Sequence, residues 1–359
     1  MRRFFLIAVS VLFGSAPFGA DAQTTRTSGA WTLIRHEGRD YVPLKNVASF
    51  YRLGIQTVGN NFNLSTQLRS IRGQKDSKEL YINNLKFILS HPVIEHNGEL
   101  LVSRLDLTKL IEPVMRPNRI TNAPKITTVV LDPGHGGHDR GARCLYGDEK
   151  TFTLDVALRA KKMLEASGFR VVMTRTSDVF IPLEERVKIA NRHPNAIFIS
   201  IHFNSSNNHA ATGLETFTLA PRGVPSMGAD GPTPSDFVNF PGNARDTENI
   251  ALACASHSAL VTQGKMFDRG IKRARFVVIR ECRIPSVLIE AGFLSNPNDA
   301  RQIATPQYRQ RVATAILQAA INYRRAVGNP SPSLPVATNE STPKVGPVVV
   351  TPTTSTNTH

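Results

Sequence analysis

Residues 126–137 read ITTVVLDPGHGG, an apolar run that closes on Asp132 and passes at once into a turn of Pro133, Gly134, His135, Gly136 and Gly137. A run this short, rich in β-branched residues and apolar on both faces, predicts a strand buried on both sides. The same form returns at 196–204 (AIFISIHFN) and 285–293 (PSVLIEAGF), with further strand patterns at 169–175 (FRVVMTR), 214–219 (LETFTL) and 276–280 (FVVIR). Helical patterns separate them at about 150–166, at 183–192 (LEERVKIANR), at about 246–262, and in a last long stretch ending near Val327. This alternation predicts an α/β fold over 125–327, a mostly parallel sheet covered by helices on both faces.

Upstream the pattern changes. Residues 31–116 carry short strand runs, among them WTLIRH, FNLST, ELYIN and LKFIL, broken by turn signals such as Glu37-Gly38-Arg39-Asp40 and His96-Asn97-Gly98. Two helical patches interrupt them: 44–54, stopped at Gly54, and 103–114, opened by Ser103 as N-cap. A small α+β binding or spacer module is expected over 23–120. At the start, Arg2-Arg3, the run FFLIAVSVLFG and the small-residue site Ala20-Asp21-Ala22 read as a secretory signal peptide over 1–22, with no transmembrane anchor after its removal. Residues 328–359, rich in Pro, Thr, Ser and Val, read as a disordered tail.

Composition narrows the function. Charged residues at 20% and hydrophobic residues at 41% of 359 exclude a mostly disordered chain. The net charge of +15 suggests at first a nucleic-acid binder, but it is spread out: 14 basic against 8 acidic residues over 23–124, and 26 against 18 over 125–327. Such a spread suits attraction to an anionic envelope better than a groove reader, and an exported protein rarely meets nucleic acid. Cys144, Cys254 and Cys282 are widely spaced and form no disulfide framework.

In an open α/β sheet, chemistry gathers at the carboxyl ends of the strands. There stand His135 after the first strand, His202 in SIHFN and Glu290 after PSVLI, with Glu149 at the start of the following helix. Two imidazoles and a carboxylate with an open position are what a catalytic Zn²⁺ requires, and a second carboxylate stays free for proton transfer. Asp148 is a rival to Glu149 as the carboxylate ligand. Asp132 and Asp139 read as partners that orient His135 or its loop. His138 reads as a substrate-contact or surface residue, and Cys144 as a small packed side chain. Burial at the end of an apolar strand raises the pKa of Glu290 and a nearby metal lowers it, so the sign is open at this point.

LDPGHGGHDRGA, DEK, LEERVKIAN, SIHFN, DRGIK and PSVLIEAGFLSN, in this order, resemble the zinc-dependent N-acetylmuramoyl-L-alanine amidases of bacterial cell-wall turnover. The resemblance covers 125–327. It implies one zinc ion held by His135, Glu149 and His202, Glu290 as the catalytic carboxylate, peptidoglycan as substrate, and a periplasmic or secreted location. One departure stands out, since Gly147 is followed by only Asp148 before Glu149-Lys150. YVPLKNVASFYRLG (41–54) resembles the copper-amine-oxidase N-terminal-like domains of exported bacterial proteins, which here implies binding or spacing and no copper chemistry.

Residues 221–243, with five Pro and four Gly, form a long loop between a strand and a helix. The loop is expected to be a lid or a gate on which an activator protein acts. Arg269 and Lys272, in a basic stretch that continues to Arg283, and Asn204 are expected to contact substrate. Two other readings are a wall-binding protein on an inactive amidase scaffold, and a zinc amidohydrolase acting on some other amide.

Overall fold

The computed structural model describes residues 25–28, 31–121, 123–227 and 232–328. The signal peptide expected over 1–22 and the tail beyond Gly328 lie outside the described residues. The first part holds β1 (Thr25–Ser28), β2 (Trp31–His36), β3 (Arg39–Pro43), α1 (Leu44–Tyr51), β4 (Gly54–Val58), β5 (Asn61–Ser65), β6 (Ser70–Gln74), β7 (Glu79–Ile82), β8 (Leu85–Ile88), β9 (Ile94–His96) and β10 (Glu99–Ser103). A helical stretch follows as α2 (Arg104–Asp106), a π-helical turn Leu107–Ile111 and α3 (Glu112–Met115). The second part holds β11 (Thr128–Pro133), the two-residue strands β12 (Arg143–Cys144) and β13 (Gly147–Asp148), α4 (Glu149–Ala166), β14 (Arg170–Met173), α5 (Leu183–Asn191), β15 (Ala196–Asn204) and β16 (Leu214–Leu219). It closes with α6 (Asp246–Gly264), β17 (Asp268–Ala274), α7 (Val277–Arg280), β18 (Ser286–Phe293), α8 (Pro297–Ile303) and α9 (Pro306–Gly328).

The expected α/β fold is present. β14, β11, β15 and β18 pair in parallel, β16 pairs antiparallel with β18, and β17 follows β16 in parallel. Helices α4, α6 and α9 cover one face through Val129, Leu131, Ile199 and Ile289, while α5 and α7 cover the other through Val130, Phe198 and Leu288. FVVIR was expected as a strand but contains the short helix α7, and the strand is the preceding DRGIKRA. Its cations are not strand formers by propensity. They are accommodated because each finds a buried partner, so tertiary context decides.

The sheet does not stop at the second part. β8 pairs in parallel with β17, Phe87 opposite Ile271, so the meander β4–β8 extends the sheet to eleven strands. The apolar face is shared: Phe62, Leu64, Ile71, Leu80 and Phe87 belong to the same core as Ile199 and Ile289. A separate five-stranded sheet, β1-β2-β3-β10-β9, packs with α1. Helix α1 ends two residues before the expected stop: Arg52, at φ 56°, takes the left-handed position and donates its N–H to Ala48 and Ser49 carbonyls. Ser103 caps α2 as expected, its Oγ accepting from Asp106 N–H at 2.9 Å.

Beside the shared core, further contacts join the two parts. Pro113 has no N–H to offer the Lys109 carbonyl four residues back, and that carbonyl accepts from Arg273 Nη2 at 3.0 Å. Gly270, at φ +91°, lies against Lys86, where a Cβ would come within 3.0 Å of Lys86 Cγ and 3.2 Å of its carbonyl. Asp268 accepts from the N–H groups of Gly270 (2.7 Å) and Lys86 (3.3 Å) and from His257 Nε2 (2.8 Å), while His257 Nδ1 lies 2.9 Å from Thr216 Oγ1. Burial pushes the Asp268 carboxyl up, and the His257 ring and the two N–H groups outweigh it, so the net pKa is lowered. A lowered carboxyl stabilises the fold above the ordinary carboxylate range and ceases to do so as pH falls through its depressed value. Asp268→Asn is therefore expected to cost about 2 kcal/mol at neutral pH in denaturant unfolding. The gap from wild type should close as pH falls through the carboxylate range; a gap that stays constant contradicts this role.

Candidate metal centre

The turn after β11 brings the first histidine to the sheet edge in an unusual backbone state. His135 has φ 61°, rare for a residue with a side chain, and is held there by Arg186 Nη2, which donates to its carbonyl at 2.7 Å, while Gly136 and Asp139 exchange backbone hydrogen bonds across the turn. Arg186 is itself buried on Asp132 (2.8 Å), which also accepts from Thr174 Oγ1 and Ser200 Oγ, both at 2.7 Å. Asp132 thus acts on the loop and not on the His135 ring. It anchors the arginine that carries the His135 carbonyl. Asp139 does meet the ring, Oδ2 to Nδ1 at 2.9 Å.

His202 reaches the same place along β15. Its neighbour on β18, directly opposite in register, is Glu290, and opposite Glu290 on β16 is Glu215. Glu149, buried at the first turn of α4, sits between the histidines: Oε2 is 3.0 Å from His135 Nε2 and Oε1 is 3.0 Å from His202 Nδ1. Two backbone donors set its carboxylate, Ala142 N–H on Oε2 (2.9 Å) and Phe203 N–H on Oε1 (3.0 Å). One ligand atom from each of His135, Glu149 and His202 lies within 4.8 Å of the others, so the set can hold a metal ion. Asp148, the rival, is directed away onto Arg140 and Arg143. His138 stacks on Phe180, ring centroids 4.2 Å apart, and Cys144 lies against the Gly147 carbonyl.

The charges differ sharply across this small region. Burial raises the Glu149 carboxyl, and its hydrogen bonds to His135 and His202 more than reverse that, holding it far below the usual carboxylate range. Burial lowers His135, and the carboxylates of Glu149 and Asp139 outweigh it to give a net rise. Glu290 is pushed well above the ordinary value, first by burial and then by the neighbouring charges of Glu149 and Glu215. Its Oε2 is closed off from water and has no hydrogen-bond partner among the described residues. A buried polar oxygen left unpaired beside two imidazoles and a carboxylate is the environment a cation and a bound water complete.

A model of the N-acetylmuramoyl-L-alanine amidase family matches residues 129–322. The chain belongs to that family. The amidase AmiA of Escherichia coli is 35% identical over 217 residues, 54% of this chain and 75% of that protein. LytC of Bacillus subtilis, another N-acetylmuramoyl-L-alanine amidase, is 31% identical over 266 residues, 74% of this chain and 45% of LytC. Among solved structures, the catalytic domain of the amidase CwlV from Bacillus (Paenibacillus) polymyxa var. colistinus has 32% identity and a TM-score of 0.46, covering 55% of this chain and 98% of its own. The chain is accordingly an amidase and a peptidoglycan hydrolase.

Two expectations for this amidase meet a particular geometry. Arg269 and Lys272 both pair with Glu215, Lys272 is buried, and Asn204 Nδ2 donates to the other Glu215 oxygen at 3.0 Å. Glu215, a carboxylate in an otherwise apolar strand, is the residue the sequence reading missed. The described parts of loop 221–243 lie away from the metal centre. Because β16 runs against β18, its far end and the loop that follows leave the sheet at the edge opposite Glu290. There the Arg275–Asp236 pair and the hydrogen bond from Met227 N–H to the Arg273 carbonyl tie the described part of the loop to the end of β17.

Gly134 makes the arrangement possible, since a Cβ there would lie 2.2 Å from His202 Cε1. The backbone cannot yield, because Gly134 N–H donates to Ile201 and its carbonyl accepts from Arg175 and Thr153. Gly134→Ala is expected to displace the His202 ring and cost about 1–3 kcal/mol in unfolding free energy. An alanine variant as stable as wild type contradicts the packing.

Proposed function

We propose that this amidase cleaves the bond between N-acetylmuramic acid and L-alanine with one zinc ion held by His135, Glu149 and His202, and with Glu290 as proton carrier. The observation that carries the reading is the convergence of the three donors on one point beside an unpartnered Glu290 oxygen. A Zn²⁺ bound there supplies Lewis-acid polarisation of the scissile carbonyl and lowers the pKa of a water at the open position.

The chain's own residues do the rest. Asp139 holds His135 by Nδ1, so its Nε2 faces the centre. Glu149 is set by Ala142 and Phe203 N–H groups before any ligand arrives, which keeps the cost of ordering the site low. Glu290 takes a proton from the attacking water and hands it to the nitrogen of the departing alanine. Burial and the charges of Glu149 and Glu215 raise its proton affinity, and a cation held by the three ligands would lower it toward the ionised form that accepts the proton. Glu215 cannot compete for that proton, because Lys272, Arg269 and Asn204 occupy its oxygens.

The substrate lies in the bacterial envelope, and the charge of +15 favours approach to an anionic wall. The leader pattern at 1–22 supports a periplasmic or secreted enzyme. No helix among the described residues is long and apolar enough to cross a membrane.

The test is digestion of purified peptidoglycan with products identified by mass. Release of stem peptides that begin with free L-alanine, abolished by a chelator and restored by Zn²⁺, is expected. Glu290→Gln should lower kcat by about 10²–10⁴-fold while still binding one zinc. Full activity of this variant, or of the metal-free protein, contradicts the assignment.

A further inference from the structure

We propose that the open face of the β4–β8 meander is a second binding site, for the glycan strand of the polymer that the metal centre cuts. It rests on peptidoglycan being the substrate.

Residues Gln56, Asn63, Arg72, Tyr81 and Lys86 lie directly opposite one another, strand by strand, from β4 to β8. Directly paired residues share a face, so these five form one row across the meander. A second row, Val58, Asn61 and Gln74, runs beside it. The alternate positions, Phe62, Leu64, Ile71 and Leu80, are spent on the core. Among the described residues no helix covers the outer rows, and all of their members except Lys86 line a groove of about 650 Å³, joined by Phe62, Gly73 and Glu79, within the range of small-ligand sites.

The lining fits a neutral, hydroxyl-rich polymer. Gln56, Asn61, Asn63 and Gln74 each donate and accept, as sugar hydroxyls and N-acetyl groups do. The Arg72 guanidinium lies over the Tyr81 ring, 5.0 Å from its centroid, giving a flat patch against which sugar C–H groups pack. Arg72 is the one cation among the groove's lining residues and Glu79 stands among them as an anion, so the groove does not offer the several free cations that a phosphate polymer requires.

The groove also belongs to the same face of the same sheet as the catalytic carboxylate. Phe87 and Ile271 point into the core, which leaves Lys86, Gly270 and Lys272 on the other face, and Lys272 reaches Glu215 beside Glu290. From Tyr81 to Glu290 is four strand spacings, about 19 Å. A single sugar–peptide unit in the metal centre does not span that distance, whereas a strand of several sugars does.

The experiment uses the full chain and two variants at the groove surface, Tyr81→Ala and the double variant Asn63→Ala/Gln74→Ala, both checked for an unchanged unfolding midpoint. Peptide-free glycan strands are titrated calorimetrically, and hydrolysis is compared on intact sacculi and on a single disaccharide-peptide. Each variant is expected to bind glycan about tenfold more weakly, and the ratio of kcat/KM on sacculi to that on the disaccharide-peptide should fall by a similar factor. Unchanged glycan affinity in both variants, equal losses on both substrates, or binding only of an anionic polymer overturns the proposal. A wild type that cleaves neither substrate refutes the amidase mechanism, while the glycan titration still reads the groove by itself.

Discussion

The register of β15 against β18 is the constraint on which the site depends. Side chains alternate across a strand, so a slip of one residue would turn His202 and Glu290 to opposite faces. Several hydrogen bonds at fixed positions prevent it: Phe198 N–H to the Pro285 carbonyl, Ser286 N–H to Asn249 Oδ1 from α6, and Ser200 Oγ to Asp132 on the other side. With that register set, the antiparallel β16 places Glu215 opposite Glu290, and Phe203 N–H is left to orient Glu149. The structure of the centre follows from strand pairing before any metal is considered.

Three carboxylates then share one neighbourhood and are treated differently. Glu149 is neutralised by two imidazoles and two backbone donors, and Glu215 by a lysine, an arginine and an amide. Glu290 receives none of these at Oε2. Repulsion from its two charged neighbours and burial fall on the one group without compensation, which is how environment separates a proton carrier from structural carboxylates of the same chemistry.

Much of this was legible in the sequence for a simple reason. His135, His202 and Glu290 each end an apolar run, and strand ends of a parallel sheet share an edge, so position along the chain predicts proximity. Glu149 was readable as the residue that opens α4. What depends on pairing partners was not readable. The antiparallel direction of β16 decides that loop 221–243 leaves at the far edge, and no local pattern states direction. Arg269 and Lys272 looked free because their partner, Glu215, lies more than fifty residues upstream. The joining of β8 to β17 through Phe87 and Ile271 links segments that read as separate modules, since an edge strand does not advertise its neighbour.

The central claim is that pairing of the strands creates a single metal centre with a free carboxylate beside it. The most direct measurement is a crystal structure of the zinc-loaded protein with anomalous scattering collected at the zinc edge. One peak bounded by His135, Glu149 and His202, with Glu290 near it but not ligating, is the predicted result. A peak elsewhere, or one in which Glu290 replaces Glu149 as ligand, would contradict the account.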